Sequence, residues 1–368
     1  MNNLDIFSEN DMARRSVDAV IKLSEKFKKD KGRLPVLMEV CGSHTMAFAK
    51  TGIKQRLSEH VKLIAGPGCP VCVTDQKSID AMIQLSEIPD TIICTFGDMM
   101  RVPGSKYSLM KAKTEGKDIR VVYSPLESVK IAQNNPDKEV VFLGIGFETT
   151  IPVLALAVRD AENLELSNYT IWMTTKLVEP VLRSLLDSGE VMVDGLLLPG
   201  HVSVVLGKKS YDFLMNEYKV PSVITGFEPV QLLTGIYKSV DLLLHQKAEV
   251  INDYPHVVKN EGNLVARRLL EKYFKLNDEA WRGMSKIPNS GLVFKDRYAR
   301  FDAKKKFNVH VKEPRKTKCR CGEIIKGSIN PEECVLFNKG CTPTHPIGPC
   351  MVSTEGTCAA HYQYMREE

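Results

Sequence analysis

The chain has 368 residues, 43% of them hydrophobic and 26% charged, with a formal net charge of +5. That length calls for more than one core, and the composition is that of a soluble globular protein. So mild a charge gives little reason to expect a broad basic face for nucleic acid or an anionic membrane, and no apolar run approaches the roughly 20 residues that cross a bilayer.

The opening MNNLDIFSEN lacks the basic and apolar stretches of an export signal, so a cytoplasmic protein is expected. Val17, Val20, Ile21, Leu23 and Phe27 recur at helical spacing and predict an amphipathic helix over 11–29. Short Val/Ile/Leu runs follow at 35–40, 62–65, 91–95, 120–123, 139–144, 169–173, 195–198 and 222–225. They are apolar on both faces, as buried parallel strands are. Helical stretches are predicted between them at 46–57, 76–85, 126–134, 151–163, 178–188 and 230–245, with one more at 261–273. Strands alternating with helices give an α/β class with parallel sheets. The polar turn Asn134-Asn135-Pro136-Asp137 suggests a boundary, giving α/β units over 1–135 and 136–255. LGIGFETTIPVL near 145 and VITGFEPVQLL near 225 both read strand, Gly-Phe-Glu, helix. Beyond Met284 the texture becomes short and Pro/Gly/Lys-rich, a region with too little apolar material to fold without a metal.

Ten cysteines are present, and their grouping carries the functional signal. In a reducing cytosol, grouped thiols point to metal ligation or redox chemistry. Six lie in the last fifty residues: Cys319, Cys321, Cys334, Cys341, Cys350 and Cys358. Four thiolates can hold Zn²⁺ or a [4Fe–4S] cluster. The absence of a C-x2-C pair in this region tilts towards iron–sulfur, but spacing alone does not choose which four bind. An extended Cys319-x-Cys321 segment would aim both side chains the same way. Cys69 and Cys72 have dithiol spacing within a rigid GPGCPVC turn, and Thr74 or Asp75 would cap the helix that follows. A helix N-terminus stabilises a thiolate there. The bland alternative is a buried structural pair. Cys41 ends an apolar strand, where open α/β sheets place ligands, and His44 could join it on iron; otherwise His44 is a satisfied loop histidine. Cys94 reads as an ordinary core residue.

Glu148 in GFETT and His201 in PGHVS also stand at strand ends, as functional groups or as hydrogen-bonded core groups. Neither a complete dinucleotide fingerprint nor a Walker A motif is present. The Arg315–Lys318 run could offset the charge of a thiolate-bound cluster; otherwise it is a solvated loop.

Taken together and in order, CGSHT, GPGCPVCVT, GFETT-x-P, PGHVS and the spaced C-terminal cysteines resemble the HypD family of hydrogenase maturation factors, from about Met38 to Cys358. The resemblance implies two similar parallel-sheet α/β domains plus a smaller Cys-rich domain, here 256–368, carrying a [4Fe–4S] cluster. It implies a scaffold on which a small chaperone, HypC, and a cyanide donor, HypE, help assemble the Fe(CN)2CO group for the large subunit of [NiFe]-hydrogenase. The family spacing C-x14-C-x6-C-x16-C implies Cys319, Cys334, Cys341 and Cys358 as cluster ligands, leaving Cys321 and Cys350 as a redox pair. Cys41 matches the position of the nascent iron, with His44 beside it and Cys69/Cys72 as the facing dithiol. Members of the family often carry a second histidine where this chain has Met46. The reading is an assembly scaffold with redox capacity rather than a turnover enzyme. Two other classes fit the cysteines: a cytosolic thiol–disulfide oxidoreductase, and a zinc-stabilised binding module.

Overall fold

The computed structural model describes residues 11–314 and 317–365; the opening decapeptide and Arg315 and Lys316 of the basic run lie outside them. Two parallel sheets form the body. The first has strand order β2(Lys62–Ala65)-β1(Val36–Glu39)-β7(Gly195–Pro199)-β8(Ser222–Thr225)-β9(Val250–Asn252). The second runs β4(Ile119–Val121)-β3(Thr91–Thr95)-β5(Glu139–Gly144)-β6(Tyr169–Met173). Strands β1, β3, β6, β7 and β8 are buried along their whole length, which is why their sequences are mostly apolar and do not alternate with exposed charges.

The connectivity departs from the boundary expected near residue 135. Thr91 pairs with Glu139 and Ile93 with Val141, so the strands on either side of that turn belong to one sheet. Leu37 pairs with Gly195, and Glu39 with Leu197, joining strands assigned by sequence to different units. The β3–β6 sheet is therefore an insertion between β2 and β7. A polar turn marks a reversal of the chain, and here it only joins the helix Pro125–Gln133 to the next strand of the same sheet. The two GFE corners do correspond: β5 and β8 each sit next to the edge strand of their own sheet.

Other helices hold with local adjustments. The segment expected as one helix over 46–57 starts earlier, at Gly42, and breaks at Gly52, whose φ of +71° leaves the helical region. Asp75 caps the helix Gln76–Leu85 by accepting from Ser78 N. Leu264–Tyr273 follows the Asn263 cap. Its last residue leads directly into an antiparallel hairpin, β10(Phe274–Trp281) and β11(Ser285–Phe294), two strands beyond those expected from the sequence. Bridges Thr74↔Trp281 and Lys176↔Gly291 tie the hairpin to the end of the helix Pro70–Val73 and to the segment that follows β6. Lys176 lies fully buried under it, donating to Ala280 O at 2.8 Å and facing Glu279 at 3.5 Å. The cysteine-rich segment is built of short turns and helices, the longest being Thr357–Tyr364, which packs on Gly42–Lys50. Among the described residues no helix is long and apolar enough to cross a membrane.

Candidate functional site

Four adjacent strands of the first sheet end in the motifs singled out by sequence. β2 leads to Cys69 and Cys72, β1 to Cys41 and His44, β7 to His201, and β8 to Gly226-Phe227. The chain leaves β1 towards β2 on one side and later returns to β7 on the other. The carboxyl ends of β1 and β7 therefore flank a topological switch point, the crevice where open α/β sheets bind ligands.

Cys41 N-caps the helix Gly42–Lys50, and its Sγ lies 3.9 Å from both ring nitrogens of His201. Both side chains come to the same spot because β1 and β7 are neighbours in register. His44, one turn along the helix, sits behind. Its Nε2 is 3.0 Å from Gly226 O. A carbonyl only accepts, so Nε2 carries the proton and Nδ1 the lone pair. That Nδ1 is buried with no hydrogen-bond partner, leaving a donor atom suited to a metal. Phe227 packs between the two imidazoles, with ring centroids 4.8 Å from His44 and 5.2 Å from His201. Burial, with His201 close by, pushes His44 down to about 3, and burial lowers His201 too. Both rings are neutral at physiological pH.

Burial, reinforced by the nearby Glu355 carboxylate, pushes the Cys41 thiol up to about 12. The thiol is therefore protonated until a cation displaces its proton. Glu355 was not legible as a site residue. It comes from the cysteine-rich segment, accepts from Ser43 Oγ at 2.5 Å, and itself has a raised pKa through burial. A Cβ placed on Gly42 would lie 2.6 Å from Glu355 Cβ and 3.2 Å from Cys69 Cβ. Glycine there lets three segments meet over Cys41.

Cys69 and Cys72 are joined as a disulfide, so the expected dithiol stands in its oxidised form. Cys69 caps the short helix Pro70–Val73, its sulfur accepting from Cys72 N at 3.1 Å. This helix packs on Cys321–Ile325 and on the turn Pro349–Met351. Those two elements carry Cys321 and Cys350, whose sulfurs are 2.7 Å apart. Cys321 opens a helix rather than lying in an extended strand, so the expected geometry of Cys319-x-Cys321 is not the one adopted. Hydrogen bonds from Cys319 and Cys350 hold the Cys321 thiol well below its ordinary value, and the same contacts raise Cys319 and Cys350.

Cys334, Cys341 and Cys358 are buried in the same apolar cluster as Cys321 and Cys350, together with Ile324, Ile325 and Met351, and Cys319 packs against it half-exposed. Cys341 Sγ accepts from Ile347 N at 3.3 Å. Cys319, Cys341 and Cys350 each lie near enough to Cys358 to feel its charge, and thiolates with a backbone N–H on sulfur are the donor chemistry an iron–sulfur cluster takes. Among the described residues no three His, Cys, Asp or Glu side chains are grouped to share a single metal ion. Cys94 is an ordinary core residue of β3, fully buried.

Glu148 stands on the other sheet, and buried Tyr211 feels both its charge and that of Cys41. Glu148 follows β5 of the second sheet, and its Oε1 accepts from Val178 N at 2.8 Å while Oε2 is buried without a partner. Burial raises it to about 7. It lines a separate, mainly apolar cavity of about 1100 Å³ beside Leu177 and Phe274.

A family model described as "Hydrogenase formation hypA family" (HypD) matches residues 14–365. The chain belongs to the HypD family. It is 42% identical over 337 residues to the hydrogenase maturation factor HypD of Escherichia coli (strain K12), covering 90% of each chain. It is 40% identical over 375 aligned residues to HypD of Cupriavidus necator, covering 100% of this chain and 98% of that one. HypD of Rhodobacter capsulatus is 39% identical over 364 residues, 97% of each. The similarity thus spans both sheets, the hairpin and the cysteine-rich segment.

Proposed function

We propose that this chain acts in [NiFe]-hydrogenase maturation as the scaffold on which an Fe(CN)2CO group is assembled, with the iron as its cargo held at Cys41. The observation that carries the reading is the meeting of Cys41 Sγ with the neutral His201 ring at the switch point, against the loop that bears the Cys69–Cys72 disulfide. Low-spin iron with cyanide and CO suits a thiolate with neutral nitrogen neighbours. The high thiol pKa keeps the empty site uncharged and makes iron capture release a proton. A small HypC-type chaperone would dock at this edge to share the iron, and a HypE-type protein would bring cyanide. The finished group would pass to the hydrogenase large subunit.

A [4Fe–4S] cluster on Cys319, Cys334, Cys341 and Cys358 would supply electrons beside the Cys321/Cys350 pair. In this reading Cys321 and Cys350, with sulfurs 2.7 Å apart, exchange between dithiol and disulfide. As they are oxidised together, the adjacent Cys69–Cys72 disulfide takes up the two electrons and two protons and becomes a dithiol next to the iron. The packing of helix Pro70–Val73 on both thiol-bearing elements supports this order.

Cys41→Ala is expected to fold but to lose the infrared bands of Fe(CN)2CO; bands that persist would place the iron elsewhere. Cys321→Ser is expected to keep cluster absorbance and fail in maturation, and full maturation by that variant would end the relay. An anaerobic spectrum with iron, sulfide and zinc analysis separates the cluster from a zinc-stabilised module. The Cys69–Cys72 disulfide also suits a plain thiol–disulfide oxidoreductase, which would turn over small disulfides without iron or partners.

A further inference from the structure

A second cavity, of about 660 Å³, opens beside the cysteine-rich segment, with Cys319 and Cys321 in its wall. Three features set it apart. Cys319 is the one cysteine of the six in this segment that is not buried, so this is where solvent reaches the thiol cluster. Gly348 forms part of the wall, and a Cβ there would lie 2.7 Å from Cys319 Sγ and 3.7 Å from Cys321 Sγ. Glycine thus keeps open the space over both sulfurs. The lining is also cationic: Arg282, Arg320 and Lys326 against Glu323.

The three cations are not equivalent. Arg320 is paired with Glu323, and Lys326 with Glu190. Arg282 is held by neutral groups, its Nε donating to Thr74 O at 3.0 Å and both terminal nitrogens donating to Gln76 Oε1 at 3.3 Å. Its backbone N–H donates to Val73 O, and Gly283 next to it packs directly on Gly322 of the Cys321 helix. The hairpin tip therefore fixes, at the mouth leading to Cys321, a positive charge that pairs with no carboxylate among the described residues.

We propose that this cavity binds a small anionic thiol, of the carboxylate-bearing peptide class, which reduces the Cys321–Cys350 pair when that pair is in its disulfide form. This rests on the redox reading of the pair given above. The bound thiolate attacks Cys321 Sγ, breaking the Cys321–Cys350 bond and releasing the Cys350 thiolate. A second thiolate attacks the sulfur of the mixed disulfide, freeing the Cys321 thiolate and leaving as the oxidised dimer. Two small thiols are oxidised, the protein disulfide gains two electrons, and the two thiol protons end on Cys321 and Cys350. Arg282 acts as a positioning residue for the carboxylate.

The test uses cluster-containing protein whose Cys321–Cys350 pair has been oxidised anaerobically. Its reduction is followed with glutathione, with neutral 2-mercaptoethanol and with cationic cysteamine, each rate divided by the thiolate concentration. Glutathione is expected to be fastest and cysteamine slowest. Arg282→Gln should slow glutathione roughly fivefold, the scale of one partly screened charge contact, with little change for 2-mercaptoethanol. Arg282→Lys should restore most of the loss. Equal rates for the three thiols, or an equal loss for all of them in Arg282→Gln, would overturn the site. Failure of the pair to form any disulfide would instead overturn the redox reading on which it rests.

Discussion

Gly68→Ala tests whether the Cys69–Cys72 loop must touch the backbone of Cys41. A Cβ at position 68 would lie 2.3 Å from Cys41 Cα, 2.4 Å from its N and 2.6 Å from its C, all backbone atoms. Ordinary contact begins near 3.4 Å, so one segment must retreat by about 1 Å, and the neighbour cannot yield by rotating a side chain. Because φ at Gly68 is not positive, alanine meets no conformational penalty there. On unfolded-chain entropy alone it would stabilise by about 0.4–1 kcal/mol. Overpacking of this kind costs about 1–3 kcal/mol, so the net effect is a loss of about 0–2.5 kcal/mol. A displacement of this size next to a reacting centre can also cost about 100-fold in rate. Scanning calorimetry of the metal-loaded protein should show a midpoint lowered by up to about 5–10 °C, at about 2–4 °C per kcal/mol, and Fe(CN)2CO band intensity should fall while cluster absorbance stays. A Gly68→Ala protein with parental infrared bands and an unchanged or higher midpoint would refute the contact argument. Gly116→Ala is the control: its φ of +93° strains alanine, but nothing lies within 4 Å, so it should destabilise without touching the iron bands.

Further outcomes follow from buried charge. Glu355→Gln removes a carboxylate that helps hold the Cys41 thiol high, so Cys41 should be alkylated faster at pH 8 than in the parent; an unchanged or slower rate would remove Glu355 from the site. Glu148 has a folded pKa of about 7, above its ordinary 4.5. The folded protein is therefore penalised for its charge as pH rises from 4.5 through 7, by about 3 kcal/mol once fully ionised. Glu148→Gln should accordingly be more stable than the parent above pH 7, with the gap closing towards pH 5, and a gap independent of pH would contradict that sign. Iron binding at Cys41 should strengthen about tenfold per pH unit between pH 7.5 and 9, because one thiol proton leaves and both imidazoles, lowered by burial, are already neutral there. A slope of two protons, read by calorimetry in buffers of different ionisation enthalpy, would mean that a histidine is also displaced.

The sequence by itself determined the local chemistry. Cys41 after an apolar run, Cys69-Pro-Val-Cys72 capping a helix, Asp75 starting the next one and His201 after a strand are consequences of short-range rules: strand periodicity, proline stiffness and capping. The same rules left larger matters open. β1, β7 and β8 are all buried Val/Ile/Leu runs, and nothing local in such runs says that Leu37 takes Gly195 as its neighbour. Pairing was decided by which order buries both faces of both sheets, and that choice brought His201 of one expected unit to Cys41 of another. Glu355 sits 314 residues from Cys41 and carries no motif; only the docking of Thr357–Tyr364 on Gly42–Lys50 delivers it. Gly348 and Arg282 became informative for the same reason, since the space above a sulfur and the lack of a carboxylate partner are properties of packed neighbours. Chain order supplied the donor atoms, and the tertiary structure placed them together because sheet pairing and burial act between residues far apart in sequence.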